Sequence, residues 1–197
     1  MPKKTVAKKL SKVALTRQLK KVRLLILDVD GVLTDGRLFW IEGQGWTRFF
    51  HVHDGYGIRL LQKAGIQIAV FSGSKSKDIP ERMKLLGISH AYLGNENKIE
   101  SLNDLVRVTQ IRPNEMAFMG DDLFDIPVLK KVGLAISVPQ ALSEVKKTAH
   151  LITKTLGGSG AVREVADLIL KVQGHEERVF SEKLSEESQR GKSTQNT

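Results

Sequence analysis

Short apolar runs alternate along the chain with stretches whose apolar residues recur at helical spacing. Compact apolar runs bounded by turn residues predict strands, and apolar residues three or four positions apart predict helices. The predicted strands are residues 23–28, 66–72, 90–93, 116–120, 134–138 and 150–152. The predicted helices are residues 55–64, 77–86, 98–109, 124–131, 142–148 and 160–172. This alternation predicts an α/β fold with a doubly wound, mostly parallel, Rossmann-like sheet.

Residues 36–52 interrupt the alternation. Aromatic and β-branched residues lie on both sides of the glycine-rich sequence EGQG at positions 42–45, a pattern typical of a β-hairpin. We call residues 36–52 the flap. The intervals from Asp30 to Ser72 and from Ser72 to Lys98 are too short to hold a large inserted domain, so we expect no large cap domain over the sheet.

Length and composition favour one globular domain with extensions. The 197 residues, 41% of them apolar, suffice for one core. We divide the chain into a basic N-terminal extension (1–21), a main domain (22–174) and a polar C-terminal tail (175–197). The absence of cysteine excludes disulfides, thiolate zinc sites and cysteine nucleophiles. No apolar stretch is long enough for a membrane span or typical of a signal peptide, so we expect a cytoplasmic protein without a membrane partner.

The formal net charge of +9 arises mainly in the N-terminal extension. The first charged residues are all basic: Lys3, Lys4, Lys8, Lys9, Lys12, Arg17, Lys20 and Lys21. A solvated, partly helical arm is the favoured interpretation, and contact with RNA or an anionic membrane surface is the alternative. No aromatic residues that could stack on bases accompany these charges, which argues against base-specific recognition.

Two carboxylates follow the first predicted strand. Asp28 and Asp30 belong to the sequence DVDGVLTDG at positions 28–36. Ligands of open α/β sheets bind at the carboxyl ends of strands, and two acids at such an end can both face the crevice. Helix capping and turn formation are the alternative, which explains one aspartate but not the pair.

Three further polar sites follow predicted strands. Ser72 and Gly73 offer a hydroxyl and backbone N–H groups to a phosphate, although a serine there is also a common helix cap. Lys98 begins a predicted helix, where a solvated surface charge is the alternative. The sequence GDDLFDIP at 120–127 holds three acids, of which Asp122 is the best candidate for a simple cap. Such an oxygen-only cluster suits Mg²⁺ better than zinc.

In this order, the four sites resemble the haloacid dehalogenase superfamily of phosphohydrolases. Within it, positions 28–36, HVHDGYGI at 51–58 and GGSGAVRE at 157–164 are similar to the 3-deoxy-D-manno-octulosonate 8-phosphate phosphatase family, over about residues 20–174. The resemblance implies a magnesium-dependent phosphomonoesterase that hydrolyses this ester through a phosphoaspartate, in the synthesis of a lipopolysaccharide precursor.

The resemblance also implies roles for individual residues. Asp28 attacks phosphorus and Asp30 transfers the proton. Magnesium is bound by the Asp28 carboxylate, the Asp30 backbone carbonyl and the Asp121 carboxylate. Ser72, Gly73 and Lys98 bind the phosphoryl oxygens, while Asp122 and Asp125 support the metal ligands from behind. A homotetramer is implied, in which flaps pack together and C-terminal segments reach the next subunit's site. The flap aromatics available for this contact are Phe39, Trp40, Trp46, Phe49 and Phe50.

Two departures concern the substrate. His53 and Ser74 occupy positions where the family usually has arginine. The planar guanidinium of arginine binds a carboxylate with two hydrogen bonds, and neither histidine nor serine can do the same. The candidate substrate-binding residues are Asp30, His53, Arg59 and Arg163, with Arg48 as a further candidate to compensate. His51 and His53 are equally explained as flap residues with local hydrogen bonds. A nine-carbon sugar acid phosphate, another small metabolite and a non-catalytic module of the same fold are alternatives; a nucleic-acid phosphatase ranks last.

Overall fold

The computed structural model of this chain describes residues 10–179 and residue 181. Six parallel strands form one sheet in the order β5-β4-β1-β6-β7-β8. Their bounds are β1 (Leu24–Leu27), β4 (Gln67–Ser72), β5 (His90–Leu93), β6 (Met116–Met119), β7 (Leu134–Ser137) and β8 (Leu151–Ile152). The predicted α/β class with a mostly parallel sheet is therefore confirmed.

The α-helices α1 to α7 connect and cover these strands, and residues 176–179 are also helical. These α-helices are α1 (Lys12–Leu19), α2 (Val52–Lys63), α3 (Asp78–Leu85), α4 (Lys98–Thr109), α5 (Ile126–Leu129), α6 (Ser143–Thr148) and α7 (Ala161–Gln173). Helix α7 shows why they pack, because Val162, Val165, Ala166 and Ile169 recur at helical spacing and are all buried. Helix α7 contacts α1 and α2, while α5 contacts α4 and α6.

Strand β1 lies at the point where the winding of the sheet changes direction. All four of its residues are fully buried, as expected for a central strand covered on both faces. Leu27 pairs with Val70 of β4 on one side and Met119 of β6 on the other. The chain leaves β1 towards β4 and β5 and returns through β6 on the opposite side, which opens a crevice beyond the carboxyl end of β1.

The flap contains the predicted hairpin. Strands β2 (Phe39–Ile41) and β3 (Gly45–Thr47) are antiparallel, and the rings of Trp40 and Trp46 meet edge to face at 5.4 Å. The turn is possible because Gly43 adopts φ +77°. Helix α2 begins at Val52 rather than at residue 55, so the histidines of this segment lie at the start of a helix. The described residues contain no large cap domain.

Both ends of the described chain pack on the main domain. Leu19 at the end of α1 is buried, and the Gln173 side-chain amide donates hydrogen bonds to the Leu19 and Val22 carbonyls at 2.8 and 2.9 Å. Val179 is also buried. The basic residues Lys12, Arg17, Lys20 and Lys21 are exposed, whereas residues 1–9 and 182–197 lie outside the described part. None of the helices described here is both long and apolar enough to cross a membrane.

The loop after β8 braces the loop after β1. The Gly158 N–H donates to the Val32 carbonyl at 3.0 Å, and the Gln140 side chain connects the Gly31 carbonyl to the Gly157 N–H at 2.9 and 3.2 Å. A Cβ atom at Gly157 would overlap the Gly31 carbonyl oxygen. This loop therefore needs glycine for close approach of two backbones.

We predict that Gly157→Ala lowers the free energy of unfolding by roughly 1–3 kcal/mol, because backbone atoms must move to admit the methyl group. Gly73→Ala is the matched control: a Cβ there meets only Glu96 Cγ at 3.5 Å, so its cost should stay within about 0.5 kcal/mol. Urea unfolding followed by circular dichroism measures both. Equal stability of the two variants would contradict the predicted packing.

Candidate active site

Asp28 and Lys98 form a buried ion pair at the carboxyl end of β1. Asp28 directly follows the strand and is 6% exposed, and Lys98, the first residue of α4, is 5% exposed. Lys98 Nζ lies 2.8 Å from Asp28 Oδ1 and 2.6 Å from Asp125 Oδ1. A lysine side chain is seldom buried unless it is paired with an acid, so the burial of Lys98 depends on these two carboxylates.

Charge and burial act in opposite directions on these groups. Burial raises the pKa of Asp28 well above its ordinary value, the charges of Asp125 and Asp121 raise it further, and Lys98 opposes the rise. Burial alone would lower the pKa of Lys98, but the charges of Asp28 and Asp125 raise it overall. Lys98 therefore stays an ammonium, and its positive charge favours the ionised form of Asp28.

The loop after β6 presents a third buried acid. Asp125 is fully buried, and its Oδ2 accepts hydrogen bonds from the Asp121 and Asp122 N–H groups at 2.8 and 3.1 Å. With Oδ1 held by Lys98, both of its oxygens have protein partners. Asp122 caps this turn through the Leu123 N–H, as the cap hypothesis for that residue expects.

Asp121 has no such partners. Its Oδ1 is buried without a hydrogen bond, and burial with the charges of Asp125 and Asp122 raises the pKa of Asp121 to about 7. Carboxylate oxygens of Asp28, Asp121 and Asp125 lie within 4.8 Å of one another. An orphaned oxygen beside two further carboxylates fits a hard divalent cation, because such a cation supplies the positive charge that the cluster needs.

Asp30 is held by an arginine from the flap. Arg48 Nε and Nη2 donate to the two Asp30 oxygens at 2.6 and 3.0 Å. The Asp30 side chain is 40% exposed, whereas the Arg48 side chain is 2% exposed. The sequence named Arg48 as a candidate for binding substrate, but the structure commits its guanidinium to protein groups.

A cleft of about 220 Å³ lies over these residues. Its lining consists of Asp28, Asp30, Ser72, Gly73, Ser74, Glu96, Lys98, Asp122 and Phe124. Ser72 is buried at the end of β4, and its hydroxyl accepts the Ser74 N–H at 3.1 Å. The structure thus brings together in one cleft all of the residues predicted to act as nucleophile, to transfer the proton or to bind phosphate. Glu96, which also lines the cleft, carried no signal in the sequence that distinguished it from a surface acid.

The remaining predicted substrate residues lie outside this lining. Arg59 donates to the Leu85 carbonyl at 3.0 Å, and Arg163 pairs with Asp167 at 2.8 Å while lying over the Tyr56 ring. His53 is exposed and meets His51 edge to face at 5.1 Å. In the described part of a single chain, no arginine therefore lines the cleft in place of the two arginines that the family usually has at positions 53 and 74.

A larger cavity of about 590 Å³ opens at the amino ends of β4 and β5. It is lined by uncharged groups such as Gln62 and Gln67, with His90 as its titratable side chain. Since it lacks carboxylate pairs and lysine, its size does not make it the better candidate. The smaller cleft at the carboxyl ends of β1 and β4 holds the carboxylates and the lysine.

Comparison with known proteins shows which family the chain is similar to. A model of the haloacid dehalogenase-like hydrolases matches residues 87–164. The 3-deoxy-D-manno-octulosonate 8-phosphate phosphatase KdsC of Escherichia coli is 44% identical over 155 residues, which are 79% of this chain and 82% of the relative.

Two solved structures are similar over most of their length. The phosphatase of that name from Moraxella catarrhalis, in complex with a magnesium ion, a phosphate ion and KDO, has a TM-score of 0.83 at 34% identity, covering 87% of this chain and 98% of its own. The cobalt-bound phosphatase from Haemophilus influenzae has a TM-score of 0.77 at 38% identity, covering 80% and 92%. At this identity and coverage, the chain belongs to the haloacid dehalogenase-like hydrolases.

Proposed function

We propose that the protein is a magnesium-dependent phosphomonoesterase that hydrolyses 3-deoxy-D-manno-octulosonate 8-phosphate to the free sugar acid and phosphate, as a step towards lipopolysaccharide. The observation that carries the proposal is the buried Asp28–Lys98–Asp125 arrangement beside the unpartnered Asp121. The 44% identity to a phosphatase of this name supports the choice of substrate.

Asp28 is the proposed nucleophile. One of its carboxylate oxygens attacks phosphorus, and the bond from phosphorus to the sugar oxygen breaks. Asp30 gives that oxygen a proton, and afterwards takes one from the water that hydrolyses the aspartyl phosphate, so both carboxylates return to their starting state. Asp30 reaches solvent at the mouth of the cleft, which suits exchange with a departing alcohol and an entering water.

Lys98, Ser72 and Gly73 hold the phosphoryl group in this proposal. An anionic carboxylate that approaches a phosphate dianion is repelled by about 4 kcal/mol per charge pair at 4 Å and an effective dielectric near 20. The Lys98 ammonium reduces this repulsion from within hydrogen-bond distance of Asp28. Ser72 and Gly73 line the same cleft and offer a hydroxyl and N–H groups.

Asp28, Asp121 and the Asp30 carbonyl would hold the magnesium ion. When bound, Mg²⁺ neutralises charge that develops on the phosphoryl oxygens. Asp125 supports this site without being a ligand, since Lys98 and two N–H groups already occupy its oxygens. Asp122 shapes the turn that presents Asp121.

The side chains that line the cleft affect which phosphate esters can bind. Ser74 and Glu96 also line the cleft, and Glu96 repels a carboxylate unless a cation lies between them. A nine-carbon sugar acid phosphate and other small phosphorylated metabolites are therefore the alternatives that the experiment must include, and a non-catalytic module of this fold is the remaining one.

We further propose that the protein is a cytoplasmic homotetramer whose flaps meet. Trp40, Trp46 and Phe49 are 60%, 54% and 71% exposed, and they form an apolar surface on one small hairpin. Aromatic residues are enriched at the cores of protein interfaces. A neighbouring copy on this surface could also supply the cations that one chain lacks around its leaving-group site.

The first prediction concerns turnover. Phosphate release from 3-deoxy-D-manno-octulosonate 8-phosphate should require Mg²⁺, stop with EDTA, and fall by about 10³-fold or more in Asp28→Asn, which lacks the nucleophile. Asp35→Asn is the control, because this acid of the same loop pairs with exposed Arg37 and should retain activity. A panel of other sugar phosphates tests the alternatives. Turnover of no ester would reject the proposed chemistry.

The second prediction concerns the raised pKa of Asp121. Without metal, the folded state keeps this proton up to about pH 7, while the unfolded chain releases it near 3.8. The free energy of unfolding in EDTA should therefore fall as the pH rises between these values, by roughly 3–5 kcal/mol. Asp121→Asn should flatten this dependence.

Magnesium binding should have the opposite dependence on pH, because the ion binds the ionised form of the Asp121 carboxylate. Its apparent affinity, measured by the rise in melting temperature, should increase from pH 6 to pH 8 in the wild type and be weak throughout in Asp121→Asn. An affinity independent of pH, or equal in the two proteins, would contradict a role for Asp121 in metal binding.

The third prediction concerns assembly. Light scattering should give a mass of four 21.9 kDa chains for the wild type and a smaller mass for Trp46→Glu, which places a charge on the flap surface. Val108→Glu, at an equally exposed apolar residue of α4, should leave the mass unchanged. A monomeric wild type, or an unchanged mass for Trp46→Glu, argues against assembly through the flap.

A further inference from the structure

Arg48 connects the flap to the loop that carries the proposed nucleophile. It directly follows β3, and its guanidinium meets Asp30 side-on, with Nε at 2.6 Å from Oδ1 and Nη2 at 3.0 Å from Oδ2. This bidentate contact fixes the plane of the Asp30 carboxylate as well as its position. Asp30 is partly exposed at the mouth of the cleft, so without Arg48 its side chain would be free to rotate into solvent.

The Nη1 group of the same guanidinium is anchored at the amino end of α3. Arg48 Nη1 donates to Ser76 Oγ at 2.9 Å and contacts the two Asp78 oxygens at 3.1 and 3.2 Å. Burial alone would lower the pKa of Arg48, but the hydrogen bonds and charges of Asp30 and Asp78 raise it overall. Arg48 is thus a permanent cation between two carboxylates.

This arrangement suits an acid whose charge changes during a reaction. A buried arginine paired with Asp30 alone would lose its counter-ion each time Asp30 carried a proton, and an unpaired buried charge is costly. Asp78, which takes no part in the transfer, gives Arg48 a second carboxylate partner that keeps it in place. Arginine itself exchanges no proton at ordinary pH, so it orients Asp30 without competing for the transferred proton.

We propose that Arg48 is a positioning residue for proton transfer by Asp30, and that Ser76 and Asp78 hold Arg48 from its other side. The inference rests on the role of Asp30 in the proposed function. Arg48 keeps the Asp30 carboxylate at the mouth of the cleft, where the proposed proton transfers take place. Lysine cannot take over, since it lacks the planar fork.

The test compares two leaving groups. A sugar phosphate expels an alkoxide that needs a proton, whereas 4-nitrophenyl phosphate expels a phenolate that does not. Values of kcat/KM report the steps up to departure of the leaving group, which isolates the acid function of Asp30. We expect Arg48→Met and Arg48→Lys to lower kcat/KM for the sugar phosphate by roughly 10–100-fold, within the usual range for acid–base catalysis.

For 4-nitrophenyl phosphate the same variants should lose less than about 3-fold, because the nucleophile and the phosphate-binding groups are unchanged. Asp78→Asn should show the same selective loss to a smaller degree. Arg37→Met is the control, since this exposed arginine of the flap pairs only with Asp35 in the described structure, and it should match the wild type on both esters.

Inorganic phosphate provides a measure of the intact site. Its inhibition constant should be the same in the wild type and the Arg48 variants, and Arg48→Lys serves if Arg48→Met fails to fold. An equal loss on both esters would overturn the proposal, as would no loss on either. So would a loss confined to KM for esters that bear a carboxylate, which would make Arg48 a substrate ligand. An inactive wild type would instead reject the proposed function itself.

Discussion

One lysine between two buried carboxylates determines much of this structure. Lys98 touches Asp28 and Asp125, and the Asp28, Asp121 and Asp125 oxygens are gathered within 4.8 Å. One ammonium against three carboxylates leaves a deficit of positive charge in a region with little water, where such a deficit is costly. The fold sustains it because β1, β6 and α4 are fixed by the sheet and its apolar core. A divalent cation and a substrate phosphate then bind a site whose charges are already in position.

The sequence predicted the sheet and the principal acids for a clear physical reason. Central parallel strands are continuous apolar runs, and polar residues directly after such runs must gather at one edge of the sheet. Asp28, Ser72 and Asp121 are in that position. The start of α2 was less predictable, because Val52 and His53 continue the aromatic and β-branched composition of the flap. Leu19 of α1 is buried through contact with α7, which the lysine-rich local sequence did not indicate.

The role of Arg48 could not be predicted, since it depends on contacts between distant segments. Asp30, Arg48 and Asp78 are far apart in sequence, and only the docking of a three-residue strand pair beside α3 brings them together. From sequence, Arg48, Arg59 and Arg163 were equivalent candidates. The structure separates them by burial and partners: Arg48 is enclosed between two acids, Arg59 binds a helix end, and Arg163 pairs within α7.

The glycine-containing loop after β8 limits when the site can form while the chain is being synthesised. The loop after β1 emerges early from the ribosome, but its brace comes from Gln140 and Gly157, and its companion acid Asp121 comes from the loop after β6. A nascent chain that has exposed only its first half contains Asp28, the proposed nucleophile. It still lacks the brace, the second carboxylate partner of Lys98 and the rest of the acidic cluster. The braced cleft can therefore assemble only after residues near 160 have left the exit tunnel, when the strands of the sheet are all available.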